Sequence, residues 1–247
     1  MKKNIKISSI LLILFTLSSC VNIKTEVVHT NQNNIENDTL IKLFKKYREQ
    51  KNLFDTINSN ISKIEYDKKA IKLNNKALDL YSNVMGIPVS KNDSLLLDSA
   101  IVLLNKAIKI DKLYYIAYAN KAMIISKFKK YNDAIKILDD IVKIKPSYAE
   151  GSLSQGFLFE KIADSINARK KYNEAIEAYL KRLNDPNEIN KVNVQVDIAF
   201  ALLFKEGKDK SIQIIDTLSS WYPNNDVIKM MKMTILSFDR EEFIKKF

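Results

Sequence analysis

One cysteine, Cys20, and one histidine, His29, exclude several kinds of chemistry at once. No intramolecular disulfide can form from a single thiol, so the folded part depends on its core alone. A lone histidine without Cys or His partners makes neither a zinc ligand set nor a nucleophile–base pair, and His29 reads as a solvated polar residue. The four glycines, Gly86, Gly151, Gly156 and Gly207, are too scattered to cradle a phosphate. With only four prolines as well in 247 residues, little interrupts a helix, and strand-like alternation is nowhere sustained. The class is all-α. The carboxylate pairs Asp139–Asp140 and Glu241–Glu242 fall on helix surfaces and face water. The expectation is a protein that is not an enzyme, with no cofactor, no metal and no small-molecule substrate evident.

Residues 1–19 carry Lys2 and Lys3, a mostly apolar stretch from Ile5 to Leu17, then Leu17-Ser18-Ser19-Cys20. A charged start, an apolar middle and small residues before a cleavage point make a signal peptide, and the apolar run is too short to remain as a spanning helix. Leu-Ser-Ser-Cys resembles the bacterial lipoprotein signal. That resemblance implies that Cys20 receives a diacylglyceryl thioether, becomes the mature N-terminus and is acylated again, with palmitate as the type of chain. Several acyl chains provide the stable anchoring that one cannot, at about 0.8 kcal/mol per buried CH₂. Val21 follows Cys20 in place of Asp, and no acidic cluster comes after it. The expected location is therefore the outer membrane, facing the periplasm.

Residues 20–38 are rich in Asn, Thr and Glu and hold no aromatic residue, so they read as an acylated flexible tether. Asp38 and Thr39 then offer N-caps for a helix within 39–65, with Leu40, Leu43, Phe44 and Tyr47 on its apolar face and Lys42, Lys45, Lys46, Arg48 and Lys51 on the others. This helix either covers the first unit of the domain that follows, as a terminal cap must, or lies on anionic lipid.

From residue 66 to 247 the chain is organised by a period. Ala100, Ala134 and Ala168 stand 34 residues apart, as do Leu104, Leu138 and Tyr172, and Ala107, Ile141 and Ala175. Within each triad the spacings of four and three put all members on one helix face. Tyr118, Ala122 and Ile125 correspond in the same way to Ser152, Gly156 and Phe159, on a preceding helix. A fixed period of this size marks stacked units, each covering the apolar face its neighbour cannot bury alone. The register extends to Ala199, Leu202, Ser211, Ile215 and Leu218 downstream, and to Leu73, Ala77 and Leu80 upstream, giving four hairpins and a closing segment.

At these residues the chain resembles the tetratricopeptide repeat (TPR) family. The stretch from Tyr115 to Tyr148, closing with Pro146, matches best. The resemblance implies a TPR-like α-solenoid of antiparallel helix hairpins wound as a right-handed superhelix, with ligands held in the concave groove lined by the first helices. Carried over in register, the groove candidates are Asn75, Leu78, Asn120, Met123, Lys127, Phe157, Lys161 and Phe200. Leu78, Met123, Phe157 and Phe200 would form an apolar row between Asn and Lys flanks, suited to an extended or helical peptide. Either that row is open, or superhelical curvature or the N-terminal helix covers it. Asp at Met123 and Phe157 is expected to abolish partner capture with helicity intact if the row is the site. The long connection from Ser82 to Ser94 is a second candidate surface.

The formal net charge is +11, and removing Lys2, Lys3 and Lys6 from the 40 basic residues leaves 37 against 29 acidic ones, or +8. The lysines are spread over all helices without one aromatic-interleaved stripe, and export disfavours nucleic acid, so no nucleic-acid partner is expected. The leader and the array together point to a non-catalytic, membrane-tethered adaptor for another protein or peptide in the bacterial cell envelope. The alternatives are a structural subunit of an outer-membrane assembly complex and an immunity-type lipoprotein against an envelope toxin.

Overall fold

The computed structural model describes residues 37–54, 65–84, 89–185, 188 and 190–247, with the backbone alone over 49–54. The signal peptide, Cys20, His29 and the tether up to residue 36 lie outside the described residues. Among the described residues every regular element is an α-helix. The chain divides into two compact units, Met1–Glu65 with Pro186–Ile189, and Tyr66–Asp185 with Asn190–Phe247.

In the first unit, α1 spans Asn37–Phe54, so it starts slightly ahead of the expected Asp38 or Thr39, and Asp38 sits in its first turn. Leu40, Phe44 and Tyr47 are buried along one face, while Lys42, Lys45, Lys46 and Arg48 are exposed. The spacing of four and three produces that stripe.

The second unit is built from helices paired in chain order: α2 (Lys68–Ser82) with α3 (Lys91–Ile110), α4 (Tyr115–Lys127) with α5 (Tyr131–Ile144), α6 (Ala149–Lys161) with α7 (Ser165–Asn184), and α8 (Lys191–Lys205) with α9 (Lys208–Trp221). Each hairpin also packs on the next, α3 on α4, α5 on α6, α7 on α8, and α9 on α10 (Asp226–Leu236). A seven-residue helix, α11 (Arg240–Lys246), follows. The expected array of four hairpins and a closing segment is present.

The periodic positions are the core. Ala100, Ala134, Ala168 and Ser211 are buried, as are Leu104, Leu138, Tyr172 and Ile215, and Ala107, Ile141, Ala175 and Leu218 one turn further. Their partners on the first helices, Ala77, Ala122, Gly156 and Ala199, are buried as well. Small side chains at the crossing let two helices approach, and the large residue four positions later fills the space beside it. Ser211 resolves the one polar substitution in the series by donating its hydroxyl proton to the Ala199 carbonyl at 2.7 Å, within its own hairpin. Tyrosines join one hairpin to the next: the Tyr66 and Tyr114 rings lie 4.8 Å apart, and so do those of Tyr115 and Tyr148.

Polar residues set the helix starts. Asp67 accepts the backbone N–H groups of Lys69 and Ala70 ahead of α2, and Ser90 and Asp93 form a reciprocal capping box at α3. That box places the start of α3 inside the expected Ser82–Ser94 connection, which shortens to residues 83–90. Gly86 and Pro88 in it lie outside the described residues. The hairpin turns after α4 and α6 put Lys129 and Ala163 at φ 59° and 60°, a left-handed conformation that glycine would hold at less cost.

Candidate functional site

The first helices α2, α4, α6 and α8 carry the eight residues expected to line a groove, and their environments split into two halves. On α2 and α4, Asn75 is exposed, Leu78 is half-buried, and Met123 packs half-buried on the core of the first hairpin. Asn120 is buried and donates its amide to Asn74 Oδ1 at 2.7 Å, while Asn74 donates in turn to Asn75 Oδ1 at 3.3 Å. A short amide chain thus crosses from one first helix to the next. Asn120 is committed to the scaffold instead of standing free for a ligand, because a buried amide must be satisfied.

The other half is closed. Phe157 and Phe200 are only 1% and 2% exposed, so the expected open row does not continue past Met123. On α6 every residue from Ala149 to Leu158 is buried, and on α8 every residue from Val194 to Phe204. From Ile198 to Phe204 α8 is apolar on every side, the pattern of a helix covered all round, and Gln195 and Asp197 ahead of that run are buried with it. The last helix of the same unit, α11, with the Phe247 that follows it, covers the two phenylalanines. The Phe157 ring centroid lies 5.1 Å from that of Phe243 and 4.9 Å from that of Phe247, both edge-on, and 4.5 Å from Phe204. Phe200 stands 6.2 Å from Phe243, and Phe204 stands 5.1 Å from both Phe243 and Phe238. Rings in tilted and edge-to-face contact at these separations contribute beyond their buried area.

Polar groups fix α11 at both ends. At its start the Arg240 guanidinium forks onto Glu160, with Nε to Oε2 at 3.0 Å and Nη2 to Oε1 at 2.6 Å, and donates from Nη1 to the Phe204 carbonyl at 2.9 Å. Burial would lower the Arg240 pKa, but the hydrogen bonds and charge of Glu160 outweigh it and raise the value. The Tyr172 hydroxyl also donates to Glu160, which holds that carboxylate in place from the core side. Its phenol is pushed far above the usual range by burial and by the same bond.

At the other end two expected groove lysines meet main-chain oxygens. Lys127 Nζ donates to the carbonyls of Phe247 at 3.1 Å and Lys246 at 3.4 Å, and Lys161 Nζ donates to Lys245 at 2.9 Å. The last carbonyls of a helix have no partner within it and carry its negative end, so cations there satisfy both needs. Burial lowers the pKa of both lysines. For Lys127 the charge of Lys161 lowers it further, and for Lys161 that of Lys129.

The structure therefore assembles Lys127, Phe157, Lys161 and Phe200 into one site and leaves Asn75, Leu78, Asn120 and Met123 on a separate stretch. Arg240, Phe243 and Phe247 are the residues that groove register could not supply. A signal for them exists: Phe243 and Phe247 are four apart and Arg240 is three before the first, one helical face among Glu241, Glu242, Lys245 and Lys246.

Further in, Glu150 and Arg182 pair at 2.7 Å between α6 and α7, with side chains 7% and 15% exposed. Burial and the Glu150 charge push the neighbouring phenols of Tyr148 and Tyr179 up. Asp139 and Asp140 are exposed, as are Glu241 and Glu242. Among the described residues no group of His, Cys, Asp and Glu has the arrangement of a metal site, and no helix is long and apolar enough to cross a membrane.

Among known proteins, the heat shock protein STI1 of Saccharomyces cerevisiae is 31% identical over 81 residues, which are 32% of this chain and 14% of that one. A TPR protein of Thermus thermophilus superposes with a TM-score of 0.47 at 11% identity, covering 93% of this chain and 97% of that one. MamA (41-end) from Desulfovibrio magneticus superposes with 0.39 at 15%, covering 73% and 94%. No family model matches the chain. The hairpins, their order and their buried triads define a TPR-like helical-repeat protein.

Proposed function

We propose that this protein is a non-catalytic adaptor of the bacterial cell envelope, held to the membrane by acylated Cys20, that binds another protein through the face lined by its first helices. The observation that carries this reading is that the face already holds a helix. The side chains of α4, α6 and α8 receive α11 through aromatic rings, a bidentate Glu160–Arg240 pair and two lysines on carbonyl oxygens. Helix-in-groove recognition lays the apolar face of an amphipathic helix on an apolar floor, and here a charge at one end and donors at the other fix the helix along it. The anchor rests on the lipoprotein-like leader, with Lys2, Lys3, an apolar run and Leu-Ser-Ser before Cys20.

Photo-crosslinking in intact cells tests both parts. A crosslinker at Met123 should capture a discrete envelope protein, and one at exposed Lys170 on α7 should not. Cys20→Ser should release the chain from the membrane fraction. Equal capture from both positions, or full membrane retention of the Cys20 variant, overturns the corresponding half. A hydrolytic activity of the pure protein that one point substitution removes would overturn the non-catalytic reading.

A further inference from the structure

We infer that α11 is an exchangeable strap that occupies the binding site, and that the partner is a short amphipathic helix of the same chemistry which displaces it. This deepens the adaptor reading and rests on it for the existence of a partner. The strap's own sequence states what the site recognises: a guanidinium, an aromatic three residues on, a second aromatic four further, and a last turn of carbonyls over Lys127 and Lys161.

Two features make the strap exchangeable. A helix of seven residues has too few internal hydrogen bonds to persist alone, so α11 is helical only while docked. Phe243 is its one buried side chain, at 7% exposure; Glu241, Glu242, Lys245 and Lys246 face solvent, and the Arg240 side chain is 44% exposed in its pair with Glu160. By contrast, the helices beneath are fixed by their periodic core. Lifting the strap would bare the Phe157, Phe200 and Phe204 floor and leave two half-buried cations without their oxygens. An unclad aromatic floor beside unpaired polar groups favours a replacement of matching shape over water. The strap therefore keeps the floor dry until a better helix arrives, and its docking scales the apparent affinity for that helix down to the intrinsic affinity multiplied by the fraction of time the site is open.

The test uses the full chain and a labelled synthetic peptide of residues 237–247. Phe243→Ser with Phe247→Ser should release the strap, and the peptide should bind this variant at least ~10-fold more tightly than the unmodified chain, a difference of about 1.4 kcal/mol. Adding Lys127→Glu and Lys161→Glu should abolish that binding, as should replacing both phenylalanines of the peptide by alanine. Affinities within twofold for the two chains, no binding to a released variant that keeps its helicity, or equal binding of the alanine peptide each overturn the inference. Amide exchange on the unmodified chain decides the matter if the variant fails to fold. Strap amides exchanging at least ~10-fold faster than those of α6 support exchange, and equal rates make α11 part of the core and overturn it. A strap-dependent dimer would assign the site to a second copy and overturn the partner proposed. Crosslinked capture from Met123 stands or falls separately, so loss of the strap mechanism is distinguishable from loss of the adaptor reading.

Discussion

A Cβ placed on Gly156 would lie 2.2 Å from Cε1 of Tyr172. The two residues face each other across the α6–α7 hairpin, and the ring cannot swing away. Phe157 and Phe204 stand 5.9 and 5.5 Å from it, and its hydroxyl is bound to Glu160. Gly156→Ala should therefore destabilise the protein, although alanine is the better helix former by about 1 kcal/mol. Overpacking costs about 1–3 kcal/mol, and with three ring atoms closer than 3.0 Å to the new Cβ the upper end applies and exceeds that gain. Urea denaturation should show a lower midpoint, and Tyr172→Leu in the same chain should recover part of the loss. A midpoint that rises would mean the helices can move apart.

The Glu150–Arg182 pair gives a larger effect. Arg182→Ala leaves a carboxylate unpaired in a site where its second oxygen already has no hydrogen-bond partner. Stability should fall by about 3–5 kcal/mol, and replacing both residues by leucine should cost much less, because the desolvation of the charges disappears with them. Thermal unfolding of the single and double variants compares the two.

The left-handed turns offer a gain. Lys129→Gly and Ala163→Gly each remove a side chain from a backbone that disfavours one, against the greater freedom of glycine in the unfolded chain. A net stabilisation of about 0.5–1 kcal/mol per site is expected, additive because the turns belong to separate hairpins. A lower denaturation midpoint for either variant would contradict the assignment of strain.

Met123→Asp and Phe157→Asp are no longer equivalent probes. Met123 is half-buried at the edge of the first hairpin's core, so the first should keep the helical content at a smaller cost in stability and alter binding. Phe157 is at the centre of the ring cluster, and a carboxylate there should destabilise by several kcal/mol, on the order of 3–5. Far-UV circular dichroism through a thermal ramp separates them; matched melting curves would return Phe157 to the surface.

Asp164 sets one pH dependence. It caps α7 by accepting the Asn167 backbone N–H at 3.0 Å and its side-chain amide at 2.6 Å, and these bonds hold its pKa below the ordinary 3.8. A carboxylate lowered in the folded state stabilises fully above that ordinary value and loses its effect as pH falls through the folded one. The stability difference between the unmodified chain and Asp164→Ala should thus be constant near neutrality and shrink below about pH 4. A difference unchanged at pH 2 would remove the cap from the account.

Hairpin order was legible because it depends on one-dimensional spacing. Ala134, Leu138 and Ile141 specify one helix face wherever the helix goes, and a face of small and large residues has to meet a copy of itself. The closed end of the groove was not legible in the same way. The family register that places Phe157 and Phe200 on the concave face gives each residue a side of its own helix, and says nothing about which distant segment returns to it. Lys129 and Ala163 escaped notice for a related reason: neither is glycine, so the turn conformation left no trace in residue type.

Local rules, with their periods of 3.6 and 34, were enough to establish an all-α array, its core residues and its four hairpins, since burial of a helix face is settled by the helix's own residues and the copy beside it. The meeting of Arg240 with Glu160 across 80 positions, and of Lys127 with the Phe247 carbonyl across 120, came from the fold alone. Such contacts depend on where stacked hairpins carry the chain's end, a sum over every crossing between them, and no single stretch of residues encodes that sum.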